Sequence, residues 1–293
     1  MTALGELLAA YLLGAVVAAG LWRGSRGVFA VDVFARTNYR SHPLATAVGL
    51  LLAVVPAVVV GLDVVIVDVA RSIGWPGQDG WGPLGAYGPV VVELAVAFAF
   101  LGVLDDLGGV GESGGFRGHL KALAEGRITT GLVKLVGGPL FTLVILSGDM
   151  AQAGRLGHLR DAALICLAAN LANLFDRAPG RVNKVGQIAF VVLALATRST
   201  RLVPVAATMG GAAALLPGDL RESFMLGDAG SNVIGAVVGV GVVATTTETQ
   251  RWILVAVLLG LNLTSEFVSF SRVIDAVPPL RRLDRLGSPH RPR

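Results

Sequence analysis

The sequence predicts an all-α fold: a polytopic transmembrane bundle of about nine to ten helices, N-terminus outside and C-terminus cytoplasmic. Three observations carry this. The first is composition. Of 293 residues, 54% are hydrophobic and only 15% charged, against about 25% charged in a soluble domain, and the mean hydropathy is +0.70. A soluble core cannot absorb that much apolar surface and still leave a polar exterior. The second is spacing: apolar runs approaching the roughly 20 residues needed to cross a bilayer recur along the whole chain. The third is the placement of basic residues, which becomes lopsided once the runs are laid alternately across a membrane.

Nine runs qualify, at about 4–22, 44–70, 89–104, 129–146, 161–175, 185–197, 202–217, 231–247 and 252–270. The first has no basic segment before it and no clear cleavage site, so it reads as a permanent helix and not a signal peptide. If segment 23–42 lies on one side, the same side receives 105–128, 176–184, 218–230 and the tail from 271. Seventeen Lys and Arg then fall on that side and six on the other, with Lys134 inside a helix. The richer side is cytoplasmic. The outer loop 72–88, with Trp75 and Trp81, reads as an interfacial turn. Residues 1–270 form one transmembrane domain, and 271–293 a basic cytoplasmic tail suited to anionic lipid or to disorder. Many of the 39 glycines sit inside apolar runs, as do Gly235, Gly239 and Gly241, where small residues let helices approach closely. A single cysteine, Cys166, rules out an internal disulfide. A net charge of only +4 argues against nucleic acid as a partner.

Four clusters could carry chemistry. The third run ends in Leu104-Asp105-Asp106. Paired carboxylates beside an apolar span are costly unless they bind something. Neighbouring helical residues point about 100° apart, so the two predict different jobs, one facing a metal and the other a substrate or a lysine. Lys134 lies about one turn into the next run, after Gly118-His119-Leu120-Lys121 and Thr129-Thr130-Gly131. It either snorkels or pairs with phosphate or carboxylate, and His119 reads as a solvated loop residue. The fifth run carries Asn170 and Asn173 and ends Phe175-Asp176-Arg177-Ala178-Pro179-Gly180-Arg181, with Lys184 following. Such a density of cations suits a phosphate-rich ligand, although basic anchoring alone also accounts for it. Finally, Gly227-Asp228-Ala229-Gly230-Ser231-Asn232 opens a helix. Free N–H groups there attract anions, and a carboxylate beside them could hold Mg²⁺. All four aspartates fall at cytoplasmic helix ends by an orientation derived from Lys and Arg alone. Carboxylates are hard ligands for Mg²⁺ or Mn²⁺. The residues therefore imply metal-assisted phosphoryl transfer on a pyrophosphate compound beside a lipid.

Leu104-Asp105-Asp106, Thr130-Gly131-x-x-Lys134, Asn173-Leu174-Phe175-Asp176 and Phe224-Met225-Leu226-Gly227-Asp228-Ala229-Gly230-Ser231 resemble the polyprenyl-phosphate sugar-1-phosphate transferases. That superfamily includes the phospho-MurNAc-pentapeptide translocase and the polyprenyl-phosphate GlcNAc-1-phosphate transferases. The resemblance covers roughly residues 30 to 270. It implies a multi-pass plasma-membrane enzyme of about ten helices serving cell-envelope glycan synthesis, with a polyprenyl phosphate and a nucleotide sugar, UDP-linked by analogy, as substrates. It implies Asp228 as the Mg²⁺ ligand, with Asp105, Asp106, Asp176 and Lys134 as catalytic residues. Asp105 would lie near the lipid phosphate as base or nucleophile. Asn173, Arg177, Arg181, Lys184 and Lys121 would bind substrate, and a homodimer is left open. The sequence departs from the family in three places. Arg177 and Pro179 replace a Gly and an Asp of the nucleotide loop. No histidine cluster accompanies the lone His290, which argues against MurNAc-pentapeptide as the sugar. The chain counts one helix fewer. His42, Pro43 and Thr46 echo the family's His…Pro-Thr-Pro stretch. Two other readings stand beside this one: a catalytically altered binding or regulatory protein of the same fold, and a transporter using Glu93 and Glu266.

Overall fold

The computed structural model describes residues 2–75, 87–108, 118, 122–148 and 154–289. Long helices dominate it: α1 (Ala3–Phe29), α2 (Leu51–Ser72), α3 (Tyr87–Gly108), α4 (Thr130–Ile145), α5 (Gly154–Phe175), α6 (Arg181–Thr197), α7 (Val203–Leu220), α8 (Gly227–Thr245) and α9 (Glu248–Ser265). Two short helices close the chain, α10 (Phe270–Ala276) and α11 (Pro278–Arg285). Among the described residues, four helical segments are long and apolar enough to cross a membrane, at Ala3–Phe29, Val48–Ser72, Thr200–Leu220 and Gly227–Thr245. A fifth is counted if α9 and α10, bent by 93° at their junction, form one span.

The centre of the bundle is α8. Nearly every residue from Ala229 to Ala244 is buried, and α3, α5, α6 and α7 pack around it. Small residues make this possible, as their frequency in apolar runs suggested. A Cβ added to Gly235 would fall 2.4 Å from the Ala168 carbonyl oxygen of α5. On the other flank α1 and α7 touch backbone to backbone. A Cβ on Gly14 would meet the Ala207 carbonyl oxygen at 1.9 Å, and one on Gly210 the Tyr11 carbonyl oxygen at 1.8 Å. Outward faces are apolar and exposed, for example Leu8, Leu12 and Val16 of α1, as expected where lipid replaces water as the solvent.

The structure revises three boundaries. The second apolar run does not begin as helix at 44. Pro43–Ala45 forms β2, antiparallel to β1 (Ala35–Thr37), with Ala35 opposite Ala45 and Arg36 opposite Leu44. A left-handed Ala47 (φ 58°) then turns the chain into a short 3-10 helix, and α2 starts at Leu51. The fifth run extends back to Gly154 because Arg160 and Asp161 are not loop residues. They are buried inside α5 and paired, Arg160 Nε donating to Asp161 Oδ1 at 2.8 Å. The tail from 271 folds back. Phe270 stacks on Phe175 with centroids 5.2 Å apart, and Arg181 of α6 grips Asp284 of α11 through two hydrogen bonds of 2.7 and 2.9 Å.

Candidate functional site

The C-terminus of α3, the N-termini of α4 and α8 and the loop after α5 meet at one end of the bundle. What brings them so close is the absence of side chains at the crossings. A Cβ on Gly102 of α3 would fall 2.4 Å from the backbone oxygen of Asp228, and one on Gly49 would fall 2.1 Å from the Cα of Gly230. Gly227 adopts φ +70°, and a Cβ there would lie 2.5 Å from Asp106 Oδ2. A side chain at these positions would push Asp228 away from the paired aspartates.

Asp105 and Asp106 diverge, as their 100° separation on a helix required. Asp105 turns to α4, where its carboxylate accepts from Lys134 Nζ at 2.9 Å and from the Thr130 hydroxyl. Asp106 turns to α8 and caps it. Its two oxygens accept from the backbone N–H groups of Asp228 (3.0 Å) and Ala229 (3.1 Å). The first N–H groups of α8, expected from the sequence to be free for an external anion, are thus taken by a carboxylate of the protein itself. Lys134 also donates to Asp228 Oδ2, so one ammonium bridges the carboxylates of α3 and α8. Asn173 of α5 holds Asp228 from the other side. Its Nδ2 donates to Asp228 Oδ2 at 3.2 Å, while its Oδ1 accepts from the Ser231 hydroxyl at 3.2 Å. Both ends of this amide are occupied, so Asn173 orients Asp228 in the structure, whereas the sequence suggested a substrate contact.

Asp176 is the exception. It stands in the loop after α5, partly buried, and its carboxylate accepts no hydrogen bond from any described residue. Burial pushes this carboxyl well above the usual range. The nearby charges of Asp219, Asp228 and Asp106 push it further, and Arg177 only partly offsets them. The metal-free fold therefore disfavours the charged form of this carboxyl, and a bound cation would favour it.

Asp105, Asp106, Asp176 and Asp228 line a cleft of about 580 Å³ that also takes in Arg36, Tyr39, Thr46, Arg177, Pro179 and Asp219. Arg177 is exposed and lines it. Arg181 and Lys184 do not line it. Arg181 is buried against Asp284 and Ser271, and Lys184 donates to the carbonyls of Leu283 and Asp284. Their place as substrate ligands is corrected to that of a clamp on the tail. Lys121, His119 and His290 lie outside the described residues.

Several members of the site escaped the sequence reading. Arg36 on β1 caps α3, its guanidinium donating to the carbonyls of Asp106 and Leu107 at 3.0 Å each. Thr46 reaches Asp106. Asp219 accepts from the Gly180 backbone N–H at 3.0 Å and so fixes the loop carrying Asp176. Glu222, with a left-handed backbone (φ 54°), ties down the hairpin through Asn38 (2.6 Å) and Tyr39 (2.9 Å). A signal existed for Thr46 alone, in the His42-Pro43…Thr46 stretch. The other contacts span 70 residues or more or, for Gly180 and Asp219, 39, and no local pattern encodes them.

Among the described residues, no group of three or more His, Cys, Asp or Glu is disposed to hold a metal ion by itself. Mg²⁺ does not require such a cage. It usually keeps several waters and binds one or two carboxylates plus substrate phosphates. Asp176, without a hydrogen-bond donor among the described residues and crowded by other carboxyls, lines the same cleft as Asp228 and fits a cation completed in that way. Comparison with models of known protein families finds no match, and comparison with curated proteins finds none either.

Proposed function

We propose that the protein is a Mg²⁺-dependent phosphoglycosyltransferase of the plasma membrane. It moves a sugar-1-phosphate from a nucleotide sugar, UDP-linked by resemblance, onto a polyprenyl phosphate at the cytoplasmic face, for cell-envelope glycan synthesis. The observation that carries this reading is the convergence of Asp105, Asp106, Asp176 and Asp228 on one cleft at one end of an apolar bundle, with Asp176 accepting no hydrogen bond from a described residue. An apolar bundle suits a lipid acceptor, and a cleft lined by four aspartates suits a donor that arrives with a divalent cation. The full topology of nine to ten spans, N-terminus outside, belongs to the same proposal.

In this scheme an oxygen of the lipid phosphate forms a bond to the β-phosphorus of the donor. The bond from that phosphorus to the bridging oxygen breaks, and the electron pair leaves with the nucleoside monophosphate. Asp228 and Asp176 would hold the Mg²⁺, which supplies neutralisation of the pyrophosphate charge. Asp105, held by Lys134 and Thr130, stands as base for the acceptor's proton or as the attacking group. Asp106 and Asn173 position Asp228, and Arg177 draws phosphate to the cleft mouth.

The test is nucleotide release by detergent-solubilised protein given Mg²⁺, a polyprenyl phosphate and a panel of UDP-, CDP- and GDP-sugars. Release that needs both lipid and metal is expected, and Asp228→Ala should abolish it while the protein stays folded. Full activity in that variant would sink the assignment. One observation favours a second reading, a binding protein without turnover: Lys134 already bridges Asp105 and Asp228, an arrangement that needs no metal. Nucleotide or lipid binding with no release across the panel would decide for it. Transport draws no support from Glu93 and Glu266, which are both exposed.

A further inference from the structure

A second cavity, of about 1250 Å³, opens at the other end of the bundle. Its outer end at Thr245 lies about 26 Å along α8 from Asp228, seventeen residues at 1.5 Å each. Its origin is a packing gap. α9 rests chiefly on α5 while α6 rests on α8, so a groove is left between α6 and α9 with α8 as its floor. The groove changes character along its length. Toward the middle of the bundle its walls are Val192, Val238 and Leu254, and at its end they are Arg201, Gln250 and Arg251.

The two arginines are incompletely satisfied. Arg201 donates to the Ala244 carbonyl at 3.1 Å and lies over the Tyr87 ring at 5.7 Å, with no carboxylate partner among the described residues. Arg251 donates through Nη1 to Asp161 Oδ2 at 2.6 Å, but among the described residues its buried Nε finds no acceptor. Asp161 is shared with Arg160, whose own Nη2 also lacks one. Buried donors without acceptors are rare in folded proteins, and each calls for an explanation. Among the described residues, Arg160 and Arg251 share Asp161, and Arg160 also reaches Glu248.

We propose that this groove binds one anionic phospholipid from the leaflet opposite the acidic cleft. An acyl chain lies along Val192, Val238 and Leu254, and the phosphate sits at Arg201 and the partly exposed guanidinium of Arg251. An amphiphile matches both the apolar run and the cationic end, and phosphate oxygens are the acceptors that guanidinium groups favour. The inference needs the bundle to cross a bilayer. It does not need the transferase chemistry.

Native mass spectrometry of the purified chain, offered phosphatidylglycerol or phosphatidylcholine, tests it. The wild type should retain one phosphatidylglycerol in preference to phosphatidylcholine. Arg201→Gln should reduce that preference about five-fold, the worth of one basic residue against an anionic lipid. Ala196→Trp, on an exposed stretch of the groove wall, should remove retention of both lipids without unfolding the chain. Millimolar inorganic phosphate should not compete. Equal retention of the two lipids, retention unaffected by Ala196→Trp, or displacement by phosphate alone would overturn the proposal. So would a dimer that Ala196→Trp dissociates, since a second copy would then be the occupant.

Discussion

Lys134 sits at the balance point of the site, because one ammonium serves carboxylates from two helices. Asp176 sits off that balance point, and its charge is the one the fold does least to offset. The sign of the consequence is fixed. A carboxyl whose folded pKa lies above its ordinary value of about 4 binds its proton more tightly in the folded state. Stability then falls as pH rises from the ordinary value through the raised one. Asp176→Asn should therefore raise the melting temperature of metal-free protein at pH 7 and make little difference near pH 4. The same substitution should abolish nucleotide release. A variant that melts lower at pH 7 would remove the case for a strained, ligand-seeking carboxylate. The divergence of Asp105 from Asp106 was legible from helical geometry alone. That Asp106 caps a helix 122 residues away was not, because a cap donated across the fold leaves no trace in either local sequence.

At the scale of elements, function depends on crossings. Gly102 brings α3 against the first turn of α8 at a distance no Cβ tolerates. Gly102→Ala should displace Asp228 by a fraction of an ångström to about 1 Å, and misplacement of that size costs catalysis on the order of 100-fold. The check is kcat in a variant shown to be folded. A loss confined to expression level would mean the crossing matters for folding only. The tail gives the contrasting case. The Arg181–Asp284 pair is buried at both ends, and breaking such a pair by removing one partner costs about 3–5 kcal/mol. Asp284→Asn should lower the melting temperature while leaving KM for the donor unchanged. A raised KM with unchanged stability would return Arg181 to the substrate. The sequence marked Arg181 as a phosphate ligand because cations cluster after Asp176. Its actual partner lies 103 residues on, which charge density could not reveal. The apolar runs themselves were legible, since bilayer length and hydropathy are local properties. The β1–β2 hairpin was not, since three-residue strands anchored by Glu222 carry no periodicity of their own.

For the whole molecule, the acidic cleft and the arginine-lined groove occupy opposite ends of one apolar bundle. A water-soluble nucleotide sugar can reach the cleft only from the compartment that makes it, so the proposed chemistry demands that the aspartates face the cytoplasm. The bias of Lys and Arg in the sequence, seventeen against six, points the same way, and burial withdraws one arginine from each side of that count, Arg181 at the cleft end and Arg160 at the other. The prediction is a labelling pattern. In a Cys166→Ser background, Glu125→Cys and Leu286→Cys belong to the cleft end, and Ser72→Cys and Ser147→Cys to the groove end, all at exposed positions. A membrane-impermeant maleimide applied to intact cells should label the second pair at once and the first pair only after permeabilisation. The inverse pattern would leave the bundle intact but put the cleft out of reach of any cytosolic donor, ending the transferase reading. Uniform labelling of all four would remove the membrane crossing on which both the cleft's acceptor and the groove's phospholipid depend.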